Sequence, residues 1–161
     1  QRLAGELNDA EGCYDRSIEL WEETGSNKVF YPRLNRAFVH LERHQFDVAK
    51  PQFLELMQLA EPWDLAWTLP GLHLGLLGCA AGLGSWKQWD HHFNAANTQL
   101  EQSGTFLDEY ARLWEHAGDL ARAQGKPEHY QRAYELAINQ WLGIKNHARA
   151  ETLRHRLQNT M

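Results

Sequence analysis

The sequence predicts an all-α fold of about eight helices, and three observations predict it. Apolar residues recur at three- and four-residue intervals along almost the whole chain, the spacing of one helix face. No segment alternates with period two for long enough to make a strand. Glycine and proline interrupt the pattern at regular distances, as helix stop signals do. Hydrophobic residues at 43% and charged residues at 23% are the balance of a folded chain, so the pattern describes packed helices and not disorder.

The first helix runs from residue 2 to about 24, with a break near Asn8-Asp9, where Asp9 can serve as an N-cap. Cys13, Tyr14, Ser17, Ile18, Leu20 and Trp21 carry its helical spacing, and Gly25 ends it. After Ser26-Asn27 a second helix places Phe30, Leu34, Ala37, Phe38 and Leu41 on one stripe. Pro32 falls in its first turn, where proline is tolerated. A break at His44-Gln45 leads into a third helix from about Phe46 to Leu59, buried through Ala49, Phe53, Leu56 and Met57. Trp63 to Thr68 adds a turn or two, and Pro70 kinks or restarts the chain.

Leu69 to Gly84, LPGLHLGLLGCAAGLG, is the one long run with almost no polar side chain. At 100° per residue Gly71, Gly75, Gly78 and Gly82 share a narrow face, flanked by Leu72, Leu76 and Leu83 on one side and Leu74, Leu77 and Ala81 on the other. A helix apolar all round must be surrounded, and 16 residues are short of the ~20 that span a bilayer, so protein is expected to surround it. Each glycine weakens a helix by roughly 1 kcal/mol relative to alanine. The face is therefore kept bare either for close packing or as the floor of a binding groove. Helices over 86–101, 106–124, 128–142 and 146–158 complete the chain, the last one rich in arginine and poor in apolar surface.

The helices pair, and the pairs resemble one another. Aligning each pair on the first buried residue of its second helix gives Cys13, Ala49, Trp89 and Tyr130, spaced by 36, 40 and 41 residues. Four residues on stand Ser17, Phe53, Phe93 and Tyr134; seven on stand Leu20, Leu56, Ala96 and Ala137. Trp114, Ala117, Gly118, Ala121, Gly125, Tyr134 and Ala137 in the last pair, and Ala37, Phe46, Ala49 and Phe53 in the second, follow a known order and spacing. The third pair keeps Leu77, Gly78, Gly84, Trp86, Phe93 and Ala96, one residue short in its first helix. In these residues the chain resembles the tetratricopeptide repeat (TPR) family, of the longer-period kind found in large bacterial signalling proteins. The resemblance implies a right-handed superhelical stack of antiparallel pairs, one domain with units near 1–25, 26–61, 62–103 and 104–143 and a capping helix at 146–158. Independently, stacked hairpins share a core that one hairpin cannot form, and Trp21, Trp114 and Trp141 fall on faces that would meet neighbouring pairs.

Composition and motifs exclude several functions. A net charge of −5 provides no basic field for nucleic acid. Cys13 and Cys79 have no metal or redox spacing and are expected as small core residues, which suits a reducing, cytoplasmic compartment. No signal peptide or membrane span is visible. The start at Gln1 within a helical pattern is expected of an excerpt from a longer polypeptide. His40 with His44, and His91 with His92 beside Asp90, lack a third ligand, so they are expected as surface or turn histidines and no metal or cofactor is expected. No nucleophile triad, phosphate loop or HExxH motif appears, so catalysis is not expected. The acidic opening (Glu6, Asp9, Glu11, Asp15, Glu19, Glu22, Glu23) and the basic tail (Lys145, His147, Arg149, Arg154, Arg156) are either solvated ends or contacts to a partner.

The function expected is protein–protein interaction. The resemblance implies that the first helix of each pair lines a concave groove, which by position gives Tyr31, Leu34, Asn35 and Phe38, then Gly71, Leu74, Gly75 and Gly78, then Arg112, Glu115, Asp119 and Arg122. The partner would be a protein or peptide, without nucleic acid or membrane. Two alternatives stand: a small-molecule sensor using the glycine stripe as a crevice, or a self-association module.

Overall fold

Six helix ends carry one recurring hydrogen bond, and its recurrence lays out the computed structural model, which describes residues 2–159. The donating N–H stands five residues after its carbonyl acceptor: Ser26 to Trp21, Gln45 to His40, Leu65 to Ala60, Ser85 to Ala80, Lys126 to Ala121 and Asn146 to Trp141. The acceptors are 19, 20, 20, 41 and 20 residues apart, so the chain repeats a helix and a turn about every 20 residues. In each case the residue before the donor is left-handed: Gly25, Gly84 and Gly125, but also His44, Asp64 and Lys145. Gly84, at φ 70°, shows why the position favours glycine, which has no Cβ to strain there.

The helices between these turns are α1 (Arg2–Glu23), α2 (Phe30–Glu42), α3 (Phe46–Ala60), α4 (Leu69–Leu83), α5 (Trp86–Ser103), α6 (Asp108–Ala123), α7 (Pro127–Gly143) and α8 (His147–Asn159). No strand occurs among the described residues. Consecutive helices pack in the order α1 on α2, α2 on α3, α3 on α4 and α4 on α5, then α6 on α7 and α7 on α8. α6 also lies against α4. Ser26 accepts from the Lys28 N–H to open a short 3-10 turn before α2, and a second such turn over Ala66–Thr68 precedes α4. Pro70 sits in the first turn of α4, where its missing N–H has no partner to lose, so it restarts the helix rather than kinking it.

Two features of α1 differ from expectation. It is continuous through Asn8 and Asp9. Its buried face is also displaced by about one residue, because Ile18 is buried while Cys13 and Leu20 are exposed. Ion pairs explain the phase: Asp15 meets Arg36 at 2.9 Å, Glu22 meets Arg33 at 2.6 Å, and Glu11 pairs with Arg43. Positions 11, 15, 18 and 22 therefore face α2, which turns Cys13 outward. The acidic opening is thus partly neutralised within the molecule.

The apolar run sits where its composition requires. Leu72, Leu76 and Cys79 pack with Phe30, Ala37, Leu41, Phe53 and Leu56 of α2 and α3. On its opposite side Leu74, Leu77, Ala80 and Ala81 pack with Trp89, Phe93, Trp114 and Tyr134 of α5, α6 and α7. One helix is the common wall of two cores, and burying a leucine on either side contributes about 1.5–3 kcal/mol. Ala66–Leu83 has the length and hydropathy of a membrane span, yet two-thirds of it is buried in the protein.

The glycine face is a seam. A Cβ on Gly75 would stand 2.6 Å from the Phe53 ring, and one on Gly78 3.0 Å from Leu41. The Phe46 ring lies over Gly82, and Tyr110 covers Gly71 at 3.7 Å. Gly118 meets Tyr134 in the same manner, leaving 2.5 Å. Aromatic rings and a leucine fill the space that a crevice would need.

α8 is tied down by a buried carboxylate. Glu115 of α6, 5% exposed, accepts from Arg149 Nε at 3.1 Å and pairs with the Arg149 guanidinium. Trp141 Nε1 donates to it at 3.3 Å, and Arg156 adds a contact at 3.4 Å. Glu115→Ala is expected to destabilise the chain by about 1–3 kcal/mol, since two arginines lose a shared partner but can turn to solvent. Hydrogen exchange checks it: amides 147–157 should exchange faster than those of α4.

Candidate binding cleft

α1, α2 and α6 wall a cleft of about 700 Å³. Leu7, Ala10 and Tyr14 of α1 form one wall. Asn35, Phe38, Val39 and Glu42 of α2 form the second, and Asp108, Glu109, Arg112, Leu113 and His116 of α6 the third. Leu41 and His44 close one end. The lining falls on α6 at intervals of three and four, a single helix face. Phe38 is held by Phe53, ring centres 5.0 Å apart, so its orientation is set by the same residue that fills Gly75.

The polar groups are unevenly compensated. Arg112 pairs with Asp108 at 2.7 Å across one helical turn. Glu42 and Glu109 are exposed and make no ion pair among the described residues. His44 stacks on Phe46 at 5.4 Å and faces His116 at 6.2 Å. Burial lowers the pKa of His116, the His44 charge lowers it further and Asp119 opposes both, so the cleft holds this imidazole neutral near pH 7.

Of the expected groove residues, Asn35, Phe38 and Arg112 come together here. Tyr31 is exposed but lies against Trp67 at the far end of α2, 6.2 Å between ring centres. Leu34 is half-buried against the core of α2 and α3. Leu74, Gly75 and Gly78 are buried, and that part of the expectation is corrected: they meet neighbouring side chains, and Gly71 lies under Tyr110. Glu115 is corrected too, because α8 occupies its carboxylate. Asp119 accepts from the Tyr134 hydroxyl at 2.5 Å and belongs to the α6–α7 contact, while Arg122 is exposed outside the cleft.

The contribution of α1 was not legible, since Leu7 and Tyr14 point to the cleft only once the phase of that helix is known. Glu109 and His116 were findable, lying three before and four after Arg112 on the same face. Two further pockets lie elsewhere, one between α5 and α7 around Leu100, Trp114 and Gln140, the other around Trp67, Gln99 and Leu107.

Set against protein-family models and against curated proteins, the chain matches none. Function is therefore read from the chemistry of the molecule itself.

That chemistry includes a second cluster, away from the cleft. His73 of α4 and His92 of α5 are both buried, and their Nδ1 atoms stand 3.1 Å apart, one donating to the other. His91 lies at 6.2 Å from His73, ring centre to ring centre, and Lys50 of α3 is near. No group of three or more ligands able to hold a metal occurs among the described residues. The expectation of surface histidines is corrected for His92 and also for His40, which is buried between Gln45 and Glu11. Cys79 is buried as expected, and burial pushes its thiol up to about 12, which leaves it protonated and unreactive.

Proposed function

We propose that this chain is a non-catalytic protein-interaction module, built as a superhelical stack of antiparallel helix pairs similar to TPR arrays, which receives a peptide or helix of a partner protein. The observation that carries it is the open cleft of about 700 Å³ walled by three helices. Its half-buried Phe38 and Leu113 stand among solvent-exposed polar groups. A concave surface with an aromatic anchor and a polar rim is what a helical or extended segment needs to bury a few side chains. The recurrence of one turn about every 20 residues supports the stacked-pair reading. Leu74, Gly75 and Gly78 are buried, which supports recognition by α1, α2 and α6 instead of α4. The sensor alternative loses the crevice it required, because Phe53, Leu41 and Phe46 fill the glycine stripe.

Phe38→Glu and Asn35→Arg test the reading. Asn35 is exposed and Phe38 is half-buried against Phe53, so each variant is read beside its melting curve, and each puts a new charge on the cleft. Bound partner is expected to fall at least about tenfold for Phe38→Glu, the magnitude of one lost hot-spot side chain. Affinity capture followed by quantitation of each retained protein measures it. Undiminished retention of every partner by both variants, with melting curves unchanged, overturns the cleft.

A further inference from the structure

The charges in the cleft name the chemistry of its ligand. Among the described residues Arg112 is the one guanidinium of the lining, and Asp108 already neutralises it at 2.7 Å. That leaves Glu42 on α2 and Glu109 on α6, carboxylates on opposite walls, both exposed and neither engaged by a cation among the described residues. The acidic residues of α1 behave differently: Glu22 and Asp15 are matched by Arg33 and Arg36 of α2, and Glu11 by Arg43 at its C-cap. Arginine is therefore supplied on the side of α2 that meets α1, and withheld on the side that meets the cleft. The apolar part of the lining includes Phe38 and Leu113, both half-buried.

Resting on the cleft reading above, we infer that the ligand is a cationic amphipathic peptide segment, whose apolar side chains cover Phe38 and Leu113 while lysine or arginine on either flank meets Glu42 and Glu109. An acidic segment would bring like charges to both walls and is rejected by them. A neutral segment would leave the rim carboxylates solvated but unused. The basic tail of a second copy meets the same description less well, since Arg149 and Arg156 are already committed to Glu115.

A random peptide library of about a dozen positions, displayed on phage and selected on the immobilised chain, tests the inference. Three proteins are compared: the unaltered chain, Glu42→Gln/Glu109→Gln, and Asn35→Arg. Asn35 is exposed, so Asn35→Arg obstructs the cleft without disturbing the core. The expected result is enrichment of peptides with at least two Lys or Arg flanking apolar residues. Their synthetic forms should bind Glu42→Gln/Glu109→Gln about tenfold more weakly, as two surface charge pairs predict. Raising salt from about 0.05 M to about 0.5 M should weaken them similarly. Acidic or uncharged peptides that lose binding on Asn35→Arg would leave the cleft standing and overturn its cationic ligand. Peptides that bind all three proteins equally, or no enrichment at all, overturn both readings. A sedimentation mass that rises with concentration and returns to monomer in Asn35→Arg assigns the cleft to a second copy, and overturns the peptide assignment.

Discussion

Gly75→Leu is expected to unfold the chain or to lower its stability by at least about 3 kcal/mol, a large part of the ~5–15 kcal/mol typical of a domain. The reason is the Phe53 ring, which lies 2.6 Å from where the first carbon of any side chain would be. Phe53 is fully buried, with α4 on one side and Phe38 on the other. Gly75→Ala sets two effects against each other. Helix propensity gains about 1 kcal/mol, while displacing a buried ring costs about 1–3 kcal/mol, so a net loss is expected. Gly82 faces Phe46, a half-buried ring that can swing outward, and Gly82→Ala should be milder. Gly5 meets nothing within 4 Å on α1, and Gly5→Ala should stabilise by up to about 1 kcal/mol. Urea midpoints of the set measure this order. The diagnostic case is Gly75→Leu combined with Phe53→Ala. If the seam is ring into glycine, the second change relieves the first, and the pair is more stable than the sum of its parts predicts. Simple additivity would mean that the two residues do not share this space.

The bare face of α4 also shows what a sequence of this kind discloses. Its helix, its burial on two flanks and its need for close neighbours all follow from residue types and spacing, because 3.6-residue periodicity converts directly into faces. What fills the bare face does not follow, since Phe53 and Phe46 belong to another helix whose rotation is set by tertiary packing. The misplacement of Gly75 and Gly78 in a binding groove had this origin: position in a repeat predicts the face but not the depth to which neighbours bury it. α1 failed for a related reason. Cys13, Ser17 and Leu20 are as regularly spaced as Tyr14, Ile18 and Trp21, and only the arginines at 33, 36 and 43 decide between the two faces. Repeat position puts Glu115 in the groove, and only the packing of α8 shows that Arg149 takes its carboxylate. Turn positions were the most legible, because left-handed backbone leaves glycine in three of six places, and the other three carry His44, Asp64 and Lys145 without a comparable signal.

Acid is expected to destabilise the chain through His73 and His92, well before the carboxylates titrate. Burial pushes His92 down to about 4, and the charges of His73, His91 and Lys50 act in the same direction. His73 is also lowered, by burial first and then by His91. An unfolded histidine titrates near 6.5, so folding depresses the value in both residues. The contribution is present in full above pH ~6.5. It is lost as pH falls from there towards about 4, because the unfolded state takes up protons that the folded state refuses. For His92 the loss by pH 4 is about 3 kcal/mol. The two rings share one hydrogen bond, so replacing only one leaves a buried nitrogen unpaired and destabilises at every pH. His73→Leu/His92→Leu removes both together, which can be nearly neutral at pH 7. Denaturant melts at pH 7 and pH 4 then separate the cases. The unaltered chain should lose at least about 3 kcal/mol more over that interval than the double variant does, since His73 adds to the share of His92. His116 and His129, which burial lowers as well, contribute to the slope that the double variant retains. Equal acid sensitivity in the two proteins would mean that His73 and His92 are protonated in the folded state, and that α4 and α5 part enough to let water reach them.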